Sequence, residues 1–374
     1  MDIVLLVGSL AIILVAAELF TNGIEWFGHK LNLAEGAVGS VLAAVATAMP
    51  ETLIPVIAIL GPLVFGGETE ASHAIGVGAI LGAPFMLSTL AMFVTGTAII
   101  IFARRGRRTT DMRVNVRILG RDVAFFVVGY AIAIGSAFLP DPISWLKWVA
   151  AGILVVTYGV YVRMHFRDEA EPGDPDELNR LHATRLPGVA RPHALDVDIL
   201  PGEEDEWEAS ESAPRMRIIV SQVLVALALI IVGAQVFVGA VSHLSDQIGL
   251  DPTILALIIA PIATELPEKF NSVLWVRTGK DTLAMGNITG AMVFQSCLPT
   301  VLGLLFTTWT FTGESAISFA SAGVAFLATF LIFGTMLRSG RLSAWTLLIG
   351  GPLYLVYVYL ALFTPLGAGA TPIH

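Results

Sequence analysis

Runs of twenty or more apolar residues recur from Ile3 to the C-terminal region, and no other feature narrows the possible folds as far. Each run is long enough for a helix to cross roughly 30 Å of hydrocarbon. Within that layer no water pairs with backbone N–H and C=O groups, so a spanning segment must satisfy them internally, as a helix does. Charged residues make up 14% of the chain and mean hydropathy is +0.79, against roughly 25% charge in soluble domains. These values exclude a conventional water-soluble protein. Apolar runs bounded by Pro, Gly and charge clusters predict ten spans, near 3–24, 36–62, 71–102, 119–139, 143–164, 217–245, 252–277, 281–310, 316–337 and 342–364. The expected fold class is therefore an all-α integral membrane protein with ten transmembrane helices.

With alternate loops on opposite sides, 19 of the 21 Lys and Arg residues fall on one face. They include Lys30, the run Arg104, Arg105, Arg107, Arg108, Arg113, Arg117 and Arg121, and Arg277, Lys280, Arg338 and Arg341; Lys147 and Lys269 are the exceptions. By the positive-inside rule that face is cytoplasmic, which puts both termini outside. The segment 165–216, rich in acidic residues and proline, lacks a sustained apolar period and is read as a disordered cytoplasmic loop between membrane units 1–164 and 217–374. Its run Glu203-Glu204-Asp205-Glu206-Trp207-Glu208 reads as a solvated linker, since no calcium-loop spacing is present. Met1-Asp2-Ile3 places no basic residue ahead of the first apolar run, so that span is expected to be retained rather than cleaved. The single Cys297 forms no intramolecular disulfide and is read as a packing residue.

The two halves are duplicated. Phe20 to Glu51 aligns without a gap to Phe237 to Glu268 at an offset of 217 residues. Ala46-Thr47-Ala48-Met49-Pro50-Glu51 faces Ala263-Thr264-Glu265-Leu266-Pro267-Glu268, and Gly78-Ala79-Ile80-Leu81-Gly82-Ala83 faces Gly286-Asn287-Ile288-Thr289-Gly290-Ala291. Five spans per half, an odd number, mean that the second copy enters the membrane from the opposite side, giving two inverted-topology five-helix repeats.

Glu51 and Glu268 lie in mid-span, where a charge costs at least ~2.5–3.5 kcal/mol on insertion scales. Pro50 and Pro267 each remove a backbone donor, which frees carbonyl oxygens near Ala46-Thr47 and Ala263-Thr264 and predicts a broken helix at each point. Two carboxylates about 5 Å apart would repel by ~3 kcal/mol at an effective dielectric near 20. A bound cation relieves that repulsion. Carboxylates, carbonyls and threonine hydroxyls together resemble the six to eight oxygens that Ca²⁺ prefers, and subsets suit Na⁺. No soft-metal ligand set accompanies them.

The paired Ala-Thr-x-x-Pro-Glu segments, with Gly-Asn-x-x-Gly in the second copy, resemble the alpha repeats of the cation/calcium exchanger superfamily, in particular its sodium/calcium exchanger branch. The resemblance implies an antiporter rather than an enzyme, without cofactor, exchanging Ca²⁺ against Na⁺ by alternating access at the centre of spans 2, 3, 7 and 8. It implies Glu51 and Glu268 as shared calcium ligands, Thr47 and Thr264 as neighbouring oxygens, and Asn287 as a ligand or site former. Where the family carries Gly-Thr-Ser-x-Pro-Glu and Gly-Asn/Asp-x-x-Gly-Ser-Asn, this chain has Ala48, Ala79, Ala83-Pro84 and Ala291-Met292, so several sodium-liganding oxygens are missing. Glu265 replaces a serine, Lys269 follows Glu268, and Gln295 replaces a downstream Asn. Either Lys269 neutralises Glu265, or Lys269 substitutes for a bound monovalent cation, or Glu265 carries a proton.

Glu18 aligns with Gln235, and Asn22 lies one turn beyond it; each is read either as part of the ion pathway or as a residue near a membrane boundary. The arginine run is read as a topology determinant in contact with anionic lipid, and Tyr354, Tyr357, Tyr359 and Trp345 as interfacial anchors. The expected partners are inorganic cations and membrane lipids, with no nucleic acid. The excess of Arg over Lys, 17 to 4, suggests a bacterial cytoplasmic membrane. Two rivals accompany sodium/calcium exchange: a proton-coupled cation exchanger and a transport-inactive membrane sensor or scaffold.

Overall fold

In the computed structural model, residues 2–30, 37–66, 69–168, 214–313 and 315–363 are described; at 25, 28–30, 37–50, 165–168, 263 and 266–271 the description covers the backbone alone. The acidic run at 203–208 lies outside these residues. Each predicted span corresponds to a helix or a pair of helices: α1 (Asp2–Lys30), α2 (Ala37–Phe65), α3 (Thr69–Met86) continuing through a π-helical turn (Leu87–Ala91) into α4 (Met92–Arg104), α5 (Val116–Gly135), α6 (Leu146–Asp168), α7 (Met216–Ile248), α8 (Pro252–Arg277), α9 (Asp281–Phe306), α10 (Ala316–Ser339), and α11 (Ala344–Leu347) followed by α12 (Gly350–Phe363). Among the described residues, eight helical stretches are long and apolar enough to cross a membrane, with shorter apolar helices at Glu51–Phe65 and Pro252–Ile262. The chain is a multi-pass membrane protein.

Helix ends follow local chemistry. Asn115 caps α5 through its side-chain oxygen, which accepts from the N–H groups of Arg117 (3.1 Å) and Ile118 (3.3 Å). Asp251 caps α8 by accepting from Thr253 N–H at 2.7 Å, with Pro252 at the first helical position. Gly249 and Gly340 end α7 and α10 at φ +66° and +69°, a conformation that favours glycine.

Two expectations change. The backbone stays helical through Pro50 and Pro267, so α2 and α8 are not broken there. A proline removes one i→i−4 bond and can kink a helix without ending it, provided neighbouring turns and packing hold the backbone. Breaks occur elsewhere. The long third span carries the π turn three residues past Pro84, and the tenth span divides between α11 and α12 at Leu348-Ile349. There Gly350 lies against the backbone of Thr89 in the π turn, its Cα position admitting no side chain.

The packing is reciprocal between the halves. α1 packs on α7, α3 on α8, and α2 on α9; α5 and α6 flank α9, while α10 flanks α3 and α12 flanks the π turn. Tyr354 and Tyr357, read from sequence as interfacial anchors, are buried instead, with ring centroids 5.2 and 4.5 Å from Phe85. The Tyr357 hydroxyl donates to the Ile317 carbonyl at 3.0 Å, which satisfies its polar end inside the bundle. Tyr359 and Trp345 remain exposed on the bundle surface.

On the side carrying the arginine run, the α4–α5 loop is clamped to the start of α9. Arg108 grips Asp281 with both guanidinium nitrogens, at 2.7 and 2.9 Å, and also donates to the Val276 carbonyl. Arg113 N–H donates to the same carboxylate at 2.8 Å. A two-residue antiparallel ladder joins β1 (Asp111–Met112) to β2 (Leu342–Ser343) beside it. Arg108 thus has a structural partner that the topology reading of the arginine run did not foresee.

Candidate cation site

α2, α3, α8 and α9 meet so that each touches the other three, and they carry the duplicated segments at 46–51, 78–83, 263–268 and 286–291. Glycine makes the closest of these approaches possible. A Cβ at Gly78 would stand 2.9 Å from the Thr253 carbonyl carbon and 3.0 Å from Leu257 N, and one at Gly82 would stand 2.8 Å from Pro261 Cγ and 2.9 Å from the Leu257 carbonyl carbon. These distances lie well inside the ~3.5–4.0 Å optimum for carbon contacts, so α3 meets α8 backbone to backbone. The Gly-x-x-x-Gly spacing that identified the repeat is thereby a packing device in its first copy.

Glu51 is buried on α2. Thr264 is buried on α8 and its hydroxyl donates to the Ala260 carbonyl at 3.1 Å, which leaves oxygen lone pairs as its ligating capacity. Asn287 turns its amide nitrogen toward α8, donating to Ser272 Oγ at 3.4 Å, and Ser272 donates in turn to the Ala284 carbonyl at 3.2 Å. This chain holds the Asn287 side chain at the α8–α9 seam with a carbonyl oxygen to offer.

Glu265 is 1% exposed, and its Oε1 accepts from Gln295 Nε2 at 3.0 Å across the same seam. Sequence comparison registered Gln295 only as a replacement for Asn; the structure makes it a partner of Glu265. Two polar residues thirty positions apart in apolar spans were the available signal, and one sequence gives no register between α8 and α9. Ala79 packs in an apolar cluster with Ile54, Ala58 and Ile75, so the first repeat supplies no side-chain oxygen at that position. Ala46, Thr47, Ala263, Glu268 and Lys269 sit on α2 and α8, but their side chains lie outside the described residues. Among the described residues no three His, Cys, Asp or Glu side chains cluster as a metal site.

Glu18 is exposed on α1, whereas Asn22, one turn on, is buried and accepts from Gln222 Nε2 of α7 at 3.1 Å. Gln222 also donates to the Leu19 carbonyl at 2.8 Å, which ties α1 to α7 through polar contacts. Gln235, the counterpart of Glu18, faces α2 where a Cβ at Gly61 would lie 3.3 Å from its Oε1. The two aligned positions therefore occupy different surroundings. Cys297 is buried at the α5–α9 contact beside Gly129, a packing role as read from sequence.

Comparison with known proteins identifies the family and the fold. The family described as sodium/calcium exchanger protein matches residues 1–167 and 218–363. A relative from Alkalimonas amylolytica that carries the antiporter name CaxA is 24% identical over 352 residues, covering 91% of each chain. Among solved structures, the H⁺/Ca²⁺ exchanger CAX superposes with a TM-score of 0.66 at 15% identity, covering 97% of this chain and 82% of that one. The sodium-calcium exchanger NCX_Mj gives 0.51 at 14% identity, covering 95% and 98%. At these identities the structural likenesses establish a common fold.

Proposed function

The chain belongs to the sodium/calcium exchanger family, and on that premise we propose that it is a Ca²⁺ antiporter of the bacterial cytoplasmic membrane whose cation site lies between α2, α3, α8 and α9. The observation that carries this reading is Glu51, a carboxylate buried on α2 at the family's Pro-Glu position, where four helices converge. A buried carboxylate in a membrane span calls for neutralisation, by a proton or by a counter-charge. A divalent cation shared with Glu268 supplies it, and Thr264 and Asn287 add neutral oxygens that suit a hard cation. Releasing the cation restores the carboxylate repulsion, so the emptied site favours taking up another cation before it reorients. That requirement makes exchange, rather than uniport, the natural cycle. The reciprocal packing of the halves supports an inverted repeat, in which the two repeats exchange roles between inward-open and outward-open states.

Protons drive the cycle in this reading. Glu265 brings a titratable group into the α8–α9 seam, bonded to Gln295, while Ala79 is sealed among apolar side chains where a sodium ligand would be needed. Sodium coupling is the second reading, favoured by the Thr264 hydroxyl, which a sodium ion accepts as readily as calcium does. Reconstituted vesicles distinguish them: Ca²⁺ uptake driven by a pH gradient without Na⁺ is expected, and uptake that requires a Na⁺ gradient would establish the second. Glu51→Gln and Glu268→Gln should each abolish flux and Ca²⁺-dependent thermal stabilisation. If both leave these unchanged, the site assignment fails and a sensing or scaffolding role takes its place.

A further inference from the structure

An ionisable side chain inside a membrane bundle is costly and marks function unless its surroundings explain it. Asp122, two turns into α5 and 1% exposed, belongs to neither duplicated segment. Its Oδ2 accepts from Thr289 Oγ1 of α9 at 2.7 Å. Tyr161 of α6 lies beside the same carboxylate, and Arg121 Nε stands 4.0 Å from Oδ1 while its Nη1 reaches the Met164 carbonyl at 3.4 Å. Asp122 is therefore where α5, α6 and α9 are joined.

Thr289 lies in the segment Gly286-Asn287-Ile288-Thr289-Gly290 that carries Asn287. Residues two apart on an α-helix point about 200° from one another, so these two side chains lie on nearly opposite faces of α9. Asn287 meets α8 through Ser272, while Thr289 meets α5 through Asp122. Gly290 clears space for the Tyr161 hydroxyl, which would lie 3.3 Å from a Cβ there. A turn of α9 by 20° would swing a side chain about 5 Å from the helix axis by about 1.7 Å, enough to displace a ligand. An ionised carboxylate is suited to preventing this, since it only accepts and its bond from the Thr289 hydroxyl is charge-assisted. An amide would replace that bond with a neutral one or turn a donor toward the hydroxyl.

We propose that Asp122 is a positioning residue for the cation site: by holding Thr289 it fixes the rotation of α9 and so sets the affinity of the Asn287 face for Ca²⁺. The inference rests on the exchanger reading above. It is tested with the full-length protein, in vesicle Ca²⁺ flux and Ca²⁺-dependent thermal unfolding, for wild type, Asp122→Asn, Thr289→Val, Thr289→Ser, the Asp122→Asn/Thr289→Val double variant and Glu51→Gln. Asp122→Asn and Thr289→Val are expected to raise the Ca²⁺ concentration for half-maximal flux by on the order of tenfold, the worth of a hydrogen bond to a charged group. Maximal rate should stay within about twofold of wild type. Thr289→Ser should restore wild-type half-saturation, and the double variant should be no worse than the weaker single one, because the two residues act as a unit. If Asp122→Asn fails to fold, Thr289→Val with its serine rescue decides the matter by itself. Unchanged half-saturation in a transporting protein overturns the proposal, as does a loss confined to unfolding temperature without cation. A wild type with no Ca²⁺ response, indistinguishable from Glu51→Gln, overturns the exchanger reading and the proposal with it.

Discussion

Gly82→Ala is the most direct test of how α3 presents its face to α8. The added methyl would stand 2.8 Å from Pro261 Cγ and 2.9 Å from the Leu257 carbonyl carbon, and closer still to the Leu257 carbonyl oxygen. Carbon contacts are comfortable from about 3.5 Å, so α3 must withdraw by roughly 0.6 Å or more. The Leu257 atoms belong to the α8 backbone and Pro261 Cγ to a closed ring, so no rotamer change on α8 relieves the clash. Overpacking of this kind costs about 1–3 kcal/mol, or roughly 5- to 150-fold in the equilibrium between the native packing and a loosened one. Because Pro261 lies one turn before Thr264 and Glu265, the withdrawal also moves α3 away from the part of α8 that leads into them. Thermal unfolding of the purified protein and Ca²⁺ flux in vesicles are both expected to fall. Gly239→Ala on α7 serves as the control: nothing lies within 4 Å of its added Cβ, and alanine in a helix interior is favoured over glycine by up to about 1 kcal/mol. A Gly82→Ala protein that unfolds and transports like wild type would refute the close helix approach on which the site geometry depends.

Removing one partner of the Arg108–Asp281 pair leaves a buried charge behind, so Arg108→Ala or Asp281→Ala should each cost about 3–5 kcal/mol at this nearly enclosed contact. The double variant should cost clearly less than the two singles combined, which a double-mutant cycle in thermal unfolding measures; strict additivity would mean the clamp does not act as a pair. Glu265→Gln keeps a side chain of the same shape against Gln295 and removes the titratable group. It should retain Ca²⁺-dependent stabilisation yet lose uptake driven by a pH gradient, and undiminished proton-driven uptake would remove Glu265 from the coupling mechanism.

The all-helical class and most helix boundaries were legible in the sequence, because hydrocarbon leaves a polar backbone no alternative to internal hydrogen bonding over some twenty residues. The duplicated Thr-x-x-Pro-Glu and Gly-x-x-x-Gly segments likewise identified α2, α3, α8 and α9 before their contact was known. What sequence could not supply was register between helices distant along the chain. Asp122 and Thr289 are 167 residues apart, Arg108 and Asp281 are 173, and Glu265 and Gln295 are 30. No periodicity within a span says which turns will face one another. Tyr354 and Tyr357 show the same limit: their amphipathic rings suit a membrane interface equally well, and only the position of α12 against the π turn and Phe85 buried them. The backbone continuity at Pro50 and Pro267 was also decided by the surroundings, since a proline states which hydrogen bond is lost and the packing determines whether the helix survives it. The sequence by itself therefore determined a membrane-embedded helical repeat with acidic residues at its centre. The tertiary structure decided which carboxylates share a seam with which amides and hydroxyls, because such contacts arise where helices pack, not along any one of them.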